Sequence, residues 1–92
     1  MPRFLVEVPH ENTKEACDRA IRVFLETGSH FMTNADWGCG DGVHKAWFVI
    51  DVEEKEDARA MLPPLFRQSA TIVELQRFRP EDVEDTRRHH ED

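Results

Sequence analysis

The order in which two residue periodicities alternate along this 92-residue chain constrains its fold more than any other feature. From Arg3 to Val8 the side chains alternate between two faces, which predicts a half-buried strand. From Ala16 to Leu25 the apolar residues instead recur at helical spacing. A strand-to-helix change of the same kind returns in the second half, so the predicted order is β-α-β-β-α-β.

Capping residues mark both predicted ends of the first helix. Asn12 is a helix-capping residue type, and Glu15 stands three positions later, at the spacing of a capping box. Gly28 follows the last apolar position and predicts a left-handed termination.

The middle of the chain predicts a β-hairpin. Strands are expected over 30–37 and 43–51, joined by a loop over 38–42 that contains three of the four glycines. The apolar residues of the third strand run almost continuously, which favours a strand covered on both faces.

The last part of the chain predicts one more helix and one more strand. The helix is expected over 53–62, ended by Pro63 and Pro64, and the strand over 70–78. From 80 to 92 charged residues dominate. We therefore predict one domain over 1–79, followed by a charged tail.

With right-handed crossovers and a central hairpin, this order predicts a ferredoxin-like βαββαβ sandwich of the α+β class. Such a fold has a four-stranded antiparallel sheet with two helices on one face. The other face has no cover within the chain. The strands carry more large apolar side chains than the helices can cover: Leu5, Trp47, Phe48 and Ile72. A bare apolar face predicts a homodimer in which two sheets meet.

By its pattern of elements over about residues 3–78, the chain resembles the dimeric α+β-barrel group of ferredoxin-like proteins, and the nearest local likeness is in its second half. The likeness lies in 51–53, 58–66 and 72–75, where an aspartate, a short helix, a proline turn and a last strand follow one another as in muconolactone isomerases. The group also includes cofactor-free monooxygenases and small nickel-binding proteins. The resemblance implies a dimeric α+β barrel, and it bears on function by analogy alone.

Charge and hydropathy exclude two classes of partner. Nineteen acidic residues outnumber 12 basic ones, and no basic cluster interleaves with aromatics, which argues against nucleic-acid binding. No apolar run approaches the roughly 20 residues of a membrane span. The first ten residues lack the apolar region of a signal peptide, so a cytoplasmic location is expected.

Cysteine and histidine residues near the predicted hairpin form a candidate metal site. Cys39 and His44 flank the loop and could bind a transition metal such as nickel or zinc, with His10 or His30 as a further ligand. The spacing matches no standard zinc motif, and the alternative is a loop cysteine beside an ordinary histidine. Cys17 lies on the stripe of the first helix, an environment unlike that of Cys39, which predicts two free thiols; a disulfide is the alternative.

Two glutamates form a candidate acid–base pair. Glu7 and Glu74 lie in the middle of strands that should be neighbours. If both point away from the helices, burial and like charge would raise the pKa of one carboxyl and create a general acid or base, with His44 as a possible addition. The alternative is a salt-bridged sheet face.

Aromatic and amide side chains near the hairpin form a third candidate site. Trp37, Trp47 and Asn34 could bind a small molecule or cofactor. The alternative is that the tryptophans are core or dimer anchors.

These patterns favour a small homodimeric binding protein. It would hold a transition metal or small ligand near the 38–44 hairpin or in a cavity between two sheets. The alternative is a cofactor-independent isomerase or monooxygenase that acts on a small aromatic or lactone-like substrate.

Overall fold

The computed structural model describes residues 1–27 and 30–82. The chain forms an α+β fold with a four-stranded antiparallel sheet, which confirms that part of the prediction. The strands are β1 (Arg3–Pro9), β2 (Asp36–Trp37), β3 (Lys45–Asp51) and β4 (Thr71–Leu75). The helices are α1 (Lys14–Thr27), α2 (His30–Thr33), α3 (Lys55–Ala60) and α4 (Pro64–Arg67). Single 3-10 turns cover Cys39–Asp41 and Pro80–Asp82.

Strand β1 lies in the centre of the sheet, whose order is β2-β3-β1-β4. Val6 of β1 stands opposite Phe48 of β3 and Ile72 of β4. Directly opposed residues share a face, and all three are buried. This is the face that the helices cover.

The core forms between that face and α1. Phe24 of α1 is completely buried. Its ring lies edge-on to three others, with centroid distances of 5.0 Å to Trp37, 5.5 Å to Phe66 and 6.3 Å to Phe48. Burial of one such side chain contributes about 1.5–3 kcal/mol. These contacts fix α1 across β2 and β3.

The opposite sheet face, which we call the open face, includes Arg3, Leu5, Glu7, Lys45, Trp47, Val49, Asp51, Thr71, Val73 and Leu75. Val49 is 40% exposed, although it belongs to the apolar run of β3. The prediction that β3 is covered on both faces is therefore wrong for the single chain. The run supplies buried residues to one face and solvent-exposed apolar residues to the other.

The helix start is one residue later than predicted. The Thr13 side-chain hydroxyl accepts a hydrogen bond from the backbone N–H of Ala16 at 3.0 Å, and the Thr13 carbonyl accepts one from the N–H of Cys17. Thr13 rather than Asn12 is thus the capping residue of α1. The predicted stop at Gly28 lies outside the described residues.

The predicted second strand is mostly helical. Helix α2 occupies four of its residues, and only Asp36 and Trp37 pair with β3. Side chains of Thr33 and Asn34 donate hydrogen bonds to the carbonyl of His30, at 3.0 and 2.8 Å. Such local hydrogen bonds compete with strand pairing, which is why the alternating pattern predicted a strand where the chain forms a helical turn.

The predicted second helix is divided. Helix α3 begins at a reciprocal capping box between Glu54 and Asp57. Pro63 and Pro64 follow the first segment, as predicted. Pro64 is also the first residue of α4, where a backbone N–H would make no hydrogen bond within the helix, so the missing N–H of proline costs nothing.

Strand β4 is shorter than the predicted 70–78. Residues 83–92 of the predicted tail lie outside the described residues. Within the described ranges, no helix has the length and apolar character that a membrane crossing requires.

Candidate metal centre

Two histidines stand side by side where β1 ends and β3 begins. The backbone N–H of His10 donates to the carbonyl of His44 at 3.0 Å, one position beyond the last strand pair. The ring centroids are 5.6 Å apart, and the rings are nearly perpendicular. The pairing of β1 with β3 therefore sets the spacing of these two imidazoles.

The glycine-rich loop brings a cysteine to the same place. Gly42 has a φ of +80°, a conformation that favours glycine. A Cβ atom on Gly38 would lie 2.7 Å from the Val43 carbonyl oxygen and 2.9 Å from the Trp47 ring. The tight turn that these glycines allow places Cys39 Sγ 3.3 Å from His10 Nε2.

Three potential ligand atoms converge as a result. One atom each from His10, Cys39 and His44 lie within 4.8 Å of one another, and all three residues are half-buried. In a tetrahedral zinc site, nitrogen and sulfur ligands are separated by about 3.3–3.8 Å. Small side-chain adjustments would bring the three atoms to that spacing.

Each imidazole also has a buried nitrogen without a partner. Nδ1 of His10 and Nδ1 of His44 have no hydrogen-bond partner among the described residues. A buried polar atom left unsatisfied costs about 1–3 kcal/mol. Such atoms are uncommon unless a water, an ion or a ligand satisfies them. The His10 nitrogen nearest to Cys39 is Nε2, so a cation held there would leave His10 Nδ1 to be satisfied by a water.

The ionisation of His10 suits cation binding, whereas Cys39 would have to lose its proton. Burial lowers the pKa of His10, and the adjacent His44 lowers that pKa further. The imidazole is therefore neutral near pH 7, which is the form that binds metal. Burial raises the pKa of the Cys39 thiol, as does the neighbouring Cys17 sulfur. A bound metal would displace that proton.

Cys17 is a neighbour of this cluster that the sequence analysis missed. Both cysteines are free thiols, and Cys17 Sγ lies 3.3 Å from Cys39 Sγ. The expectation that the two have unrelated environments is wrong. The sequence does contain a signal, because Cys17 is in the first turns of α1, only seven residues after His10.

His30 is not among the residues whose ligand atoms converge. It starts α2, and its Nδ1 lies 3.4 Å from the side-chain nitrogen of Asn34. Among the residues that the structure describes, His10 and not His30 joins Cys39 and His44.

The two predicted acid–base glutamates lie on opposite sheet faces. Glu7 stands opposite Thr71 on the open face, whereas Glu74 stands opposite the buried Phe4. The two carboxylates therefore do not share a pocket. Two residues on neighbouring strands lie on the same sheet face only in certain registers of the two strands. Spacing along the chain does not specify that register.

Glu7 forms an ion pair with Lys45, as the alternative interpretation of a salt-bridged sheet face expects. Its carboxylate accepts a hydrogen bond from Trp47 Nε1 at 3.0 Å and lies 3.5 Å from Lys45 Nζ. The Trp47 bond, with help from the Lys45 charge, lowers the pKa of Glu7 below its usual value. The group is ionised at neutral pH, which does not suit a general acid.

The predicted aromatic site is not formed either. Trp37 lies on the covered face, with its ring 6.0 Å from that of His10, whereas Trp47 lies on the open face. The side chain of Asn34 donates a hydrogen bond to the backbone carbonyl of His30, the first residue of α2. The core-anchor interpretation therefore holds for Trp37, which packs against the hydrophobic core beside His10.

A cleft of about 250 Å³ opens beside His10, between α1 and α4. Its lining residues include Glu11, Arg19 and Ser69. His10 contributes to the lining of this cleft, whereas Cys39 and His44 do not.

Comparison with known proteins found no matching family model, no matching curated protein and no matching solved structure. Function must therefore be argued from the site itself.

Proposed function

We propose that this protein binds one transition-metal ion of the zinc or nickel class through His10, Cys39 and His44. The observation that carries the proposal is the convergence of their ligand atoms within 4.8 Å. The three residues come from the end of β1, the glycine-rich loop and the start of β3. Imidazole and thiolate ligands together suit zinc and nickel better than magnesium or calcium.

Binding is favoured over catalysis because the acid–base pair that the enzyme hypothesis needs is not formed. Glu7 and Glu74 lie on opposite faces, and the pKa of Glu7 is lowered rather than raised. A proton carrier for isomerase or monooxygenase chemistry would need a group poised near neutral pH.

The proposal is tested by zinc titration of the metal-free protein in a calorimeter. Wild type should bind one zinc per chain, and His44→Ala should weaken binding at least about 100-fold, since a ligand removal should exceed the 10–100-fold effect of removing a ligand's own partner. His30→Ala is the matched control and should bind as wild type does. Equal binding by wild type and His44→Ala would refute the assignment.

The tail histidines need a separate control. His89 and His90 are adjacent and could bind a cation on their own. The double variant His89→Ala/His90→Ala should bind one zinc with wild-type affinity. The proposal also requires a reducing compartment such as the cytoplasm, because an oxidised Cys39 would not serve as a ligand.

We further propose that the fold is a ferredoxin-like sandwich that dimerises through the open face. The sheet order, with β1 between β3 and β4, supports this architecture. Val49 and Val73 are 40% and 46% exposed on the open face. The same face carries a Glu7–Lys45 ion pair, so that a second copy would meet both apolar and balanced charged groups.

Sedimentation velocity tests the dimer. Val73→Asp should shift wild-type dimers to folded monomers, because a buried unpaired carboxylate at the interface is costly. Leu65→Asp is the matched control, since Leu65 is also exposed, at 60%, but lies on α4. A monomeric wild type would refute the dimer without affecting the metal site.

A further inference from the structure

We infer that Cys17 is a fourth ligand, so that the centre is a closed Cys₂His₂ site that stabilises the fold. This inference rests on the proposed metal-binding function. It adds a fourth chain segment, α1, to the three that His10, Cys39 and His44 already connect.

The distance between the sulfurs supports the fourth ligand. Cys17 Sγ and Cys39 Sγ are 3.3 Å apart. A disulfide would bring them to about 2.05 Å. Two sulfurs on one tetrahedral zinc stand about 3.8 Å apart, since each Zn–S bond is about 2.3 Å long. The observed sulfur–sulfur spacing is nearer to the shared-metal value, from which it differs by about half an ångström.

Cys39 lies between the other donors. Its sulfur is 3.3 Å from Cys17 Sγ and 3.3 Å from His10 Nε2. A cation bound by Cys39 and His10 would therefore lie within a short distance of the Cys17 sulfur. Cys17 Sγ is not among the atoms that lie within 4.8 Å of one another, so its side chain would turn toward the cation to complete the coordination sphere.

Helix α1 holds Cys17 firmly in this position. The N–H of Cys17 donates to the carbonyl of the capping residue Thr13 at 3.0 Å. The neighbouring Ala16 and Ala20 are buried beneath the same helix face.

The charge balance favours two thiolates over one. A divalent cation held by two neutral imidazoles and one thiolate would leave a net charge of about +1 in a half-buried site. A second thiolate makes the site neutral and removes the cost of placing that charge away from water. Four protein ligands also leave no open position for a substrate, as in structural rather than catalytic zinc sites.

Cobalt(II) substitution tests the fourth ligand, because the thiolate-to-cobalt absorption band grows with the number of bound thiolates. We expect wild type to show the intensity of two thiolates and Cys17→Ala to retain about half of it, since one of two sulfur ligands remains. Cys39→Ala should lose a similar share. An intensity in Cys17→Ala equal to that of wild type would overturn the inference and leave the three-residue site intact. A wild type that binds no cobalt would overturn the proposed function itself.

X-ray absorption on zinc-loaded wild type keeps the inference testable if Cys17→Ala does not fold. Two sulfur neighbours at about 2.3 Å would support the Cys₂His₂ site. One sulfur neighbour would overturn the fourth ligand while supporting Cys39 as a ligand.

Discussion

The backbone hydrogen bond from His10 to His44 continues the pairing of β1 and β3 beyond the strands, so the sheet itself spaces the two imidazoles. A centroid distance of 5.6 Å follows from that pairing. Because the two histidines are held by the backbone, the site is largely formed before a metal arrives. This lowers the conformational-entropy cost of ordering the ligands when a metal binds.

Metal binding should raise the melting temperature. At a free zinc concentration of 100 times Kd, linkage predicts a stabilisation of about 2.7 kcal/mol. For a domain of this size each kcal/mol raises Tm by roughly 4–8 °C, so a rise of about 10–20 °C is expected. Differential scanning calorimetry with zinc and then with excess chelator measures it. His44→Ala should show no such rise, and an equal rise in that variant would point to binding elsewhere.

Substitution of Gly38 should disrupt the loop that carries Cys39. An alanine Cβ would lie 2.7 Å from the Val43 carbonyl oxygen, too close to be accommodated without a backbone shift. Gly38→Ala should lower the free energy of unfolding by about 1–3 kcal/mol and also weaken zinc binding. Gly40→Ala is the matched control, because its Cβ would meet open space. Urea unfolding distinguishes the two, and equal stability of both variants would contradict the loop geometry.

The aromatic contacts of Phe24 should dominate core stability. Phe24→Ala removes a fully buried ring that packs against three other aromatic side chains. The expected loss is about 3–5 kcal/mol by chemical denaturation. Leu25→Ala, at a side chain that is 59% exposed on the same helix, should change stability by less than about 0.5 kcal/mol. A Phe24→Ala loss no larger than that of Leu25→Ala would show that α1 does not pack as described.

The ionisation of Glu7 should make stability depend on acidity. Its pKa is lower in the folded than in the unfolded state, mainly because Trp47 donates to the carboxylate. The stabilisation is therefore present above the unfolded value of about 4.3 and is lost as the pH falls through the lower folded value. Glu7→Gln should remove this part of the acid dependence. NMR titration of the Glu7 carboxyl checks the direction, and a raised pKa would contradict the Trp47 hydrogen bond.

Local periodicity predicted the sheet better than it predicted the site. The alternation in 3–8 and the apolar stripe of α1 correspond to β1 and to the Phe24 side of the core, because both are set by burial. Asp36 and Trp37 are all that remains of the predicted second strand. There, side-chain hydrogen bonds to the backbone outweighed a seven-residue alternation.

Some of the candidate metal ligands could be predicted from the sequence, and others depend on how the chain folds. Cys39, His44 and His10 were predictable because they flank a hairpin and a neighbouring strand end. For Cys17 the sequence shows only that it follows His10 by seven residues, and its closeness to Cys39 also depends on where α1 crosses the sheet. The separation of Glu7 from Glu74 depends on strand register, which no spacing along the chain specifies.

Native mass spectrometry of untagged, zinc-reconstituted protein tests the metal centre most directly. The account predicts one zinc per wild-type chain, retained in His30→Ala and strongly reduced in both His44→Ala and Cys39→Ala at the same free zinc concentration. A metal-free wild type, or zinc retained equally in all four proteins, would contradict it.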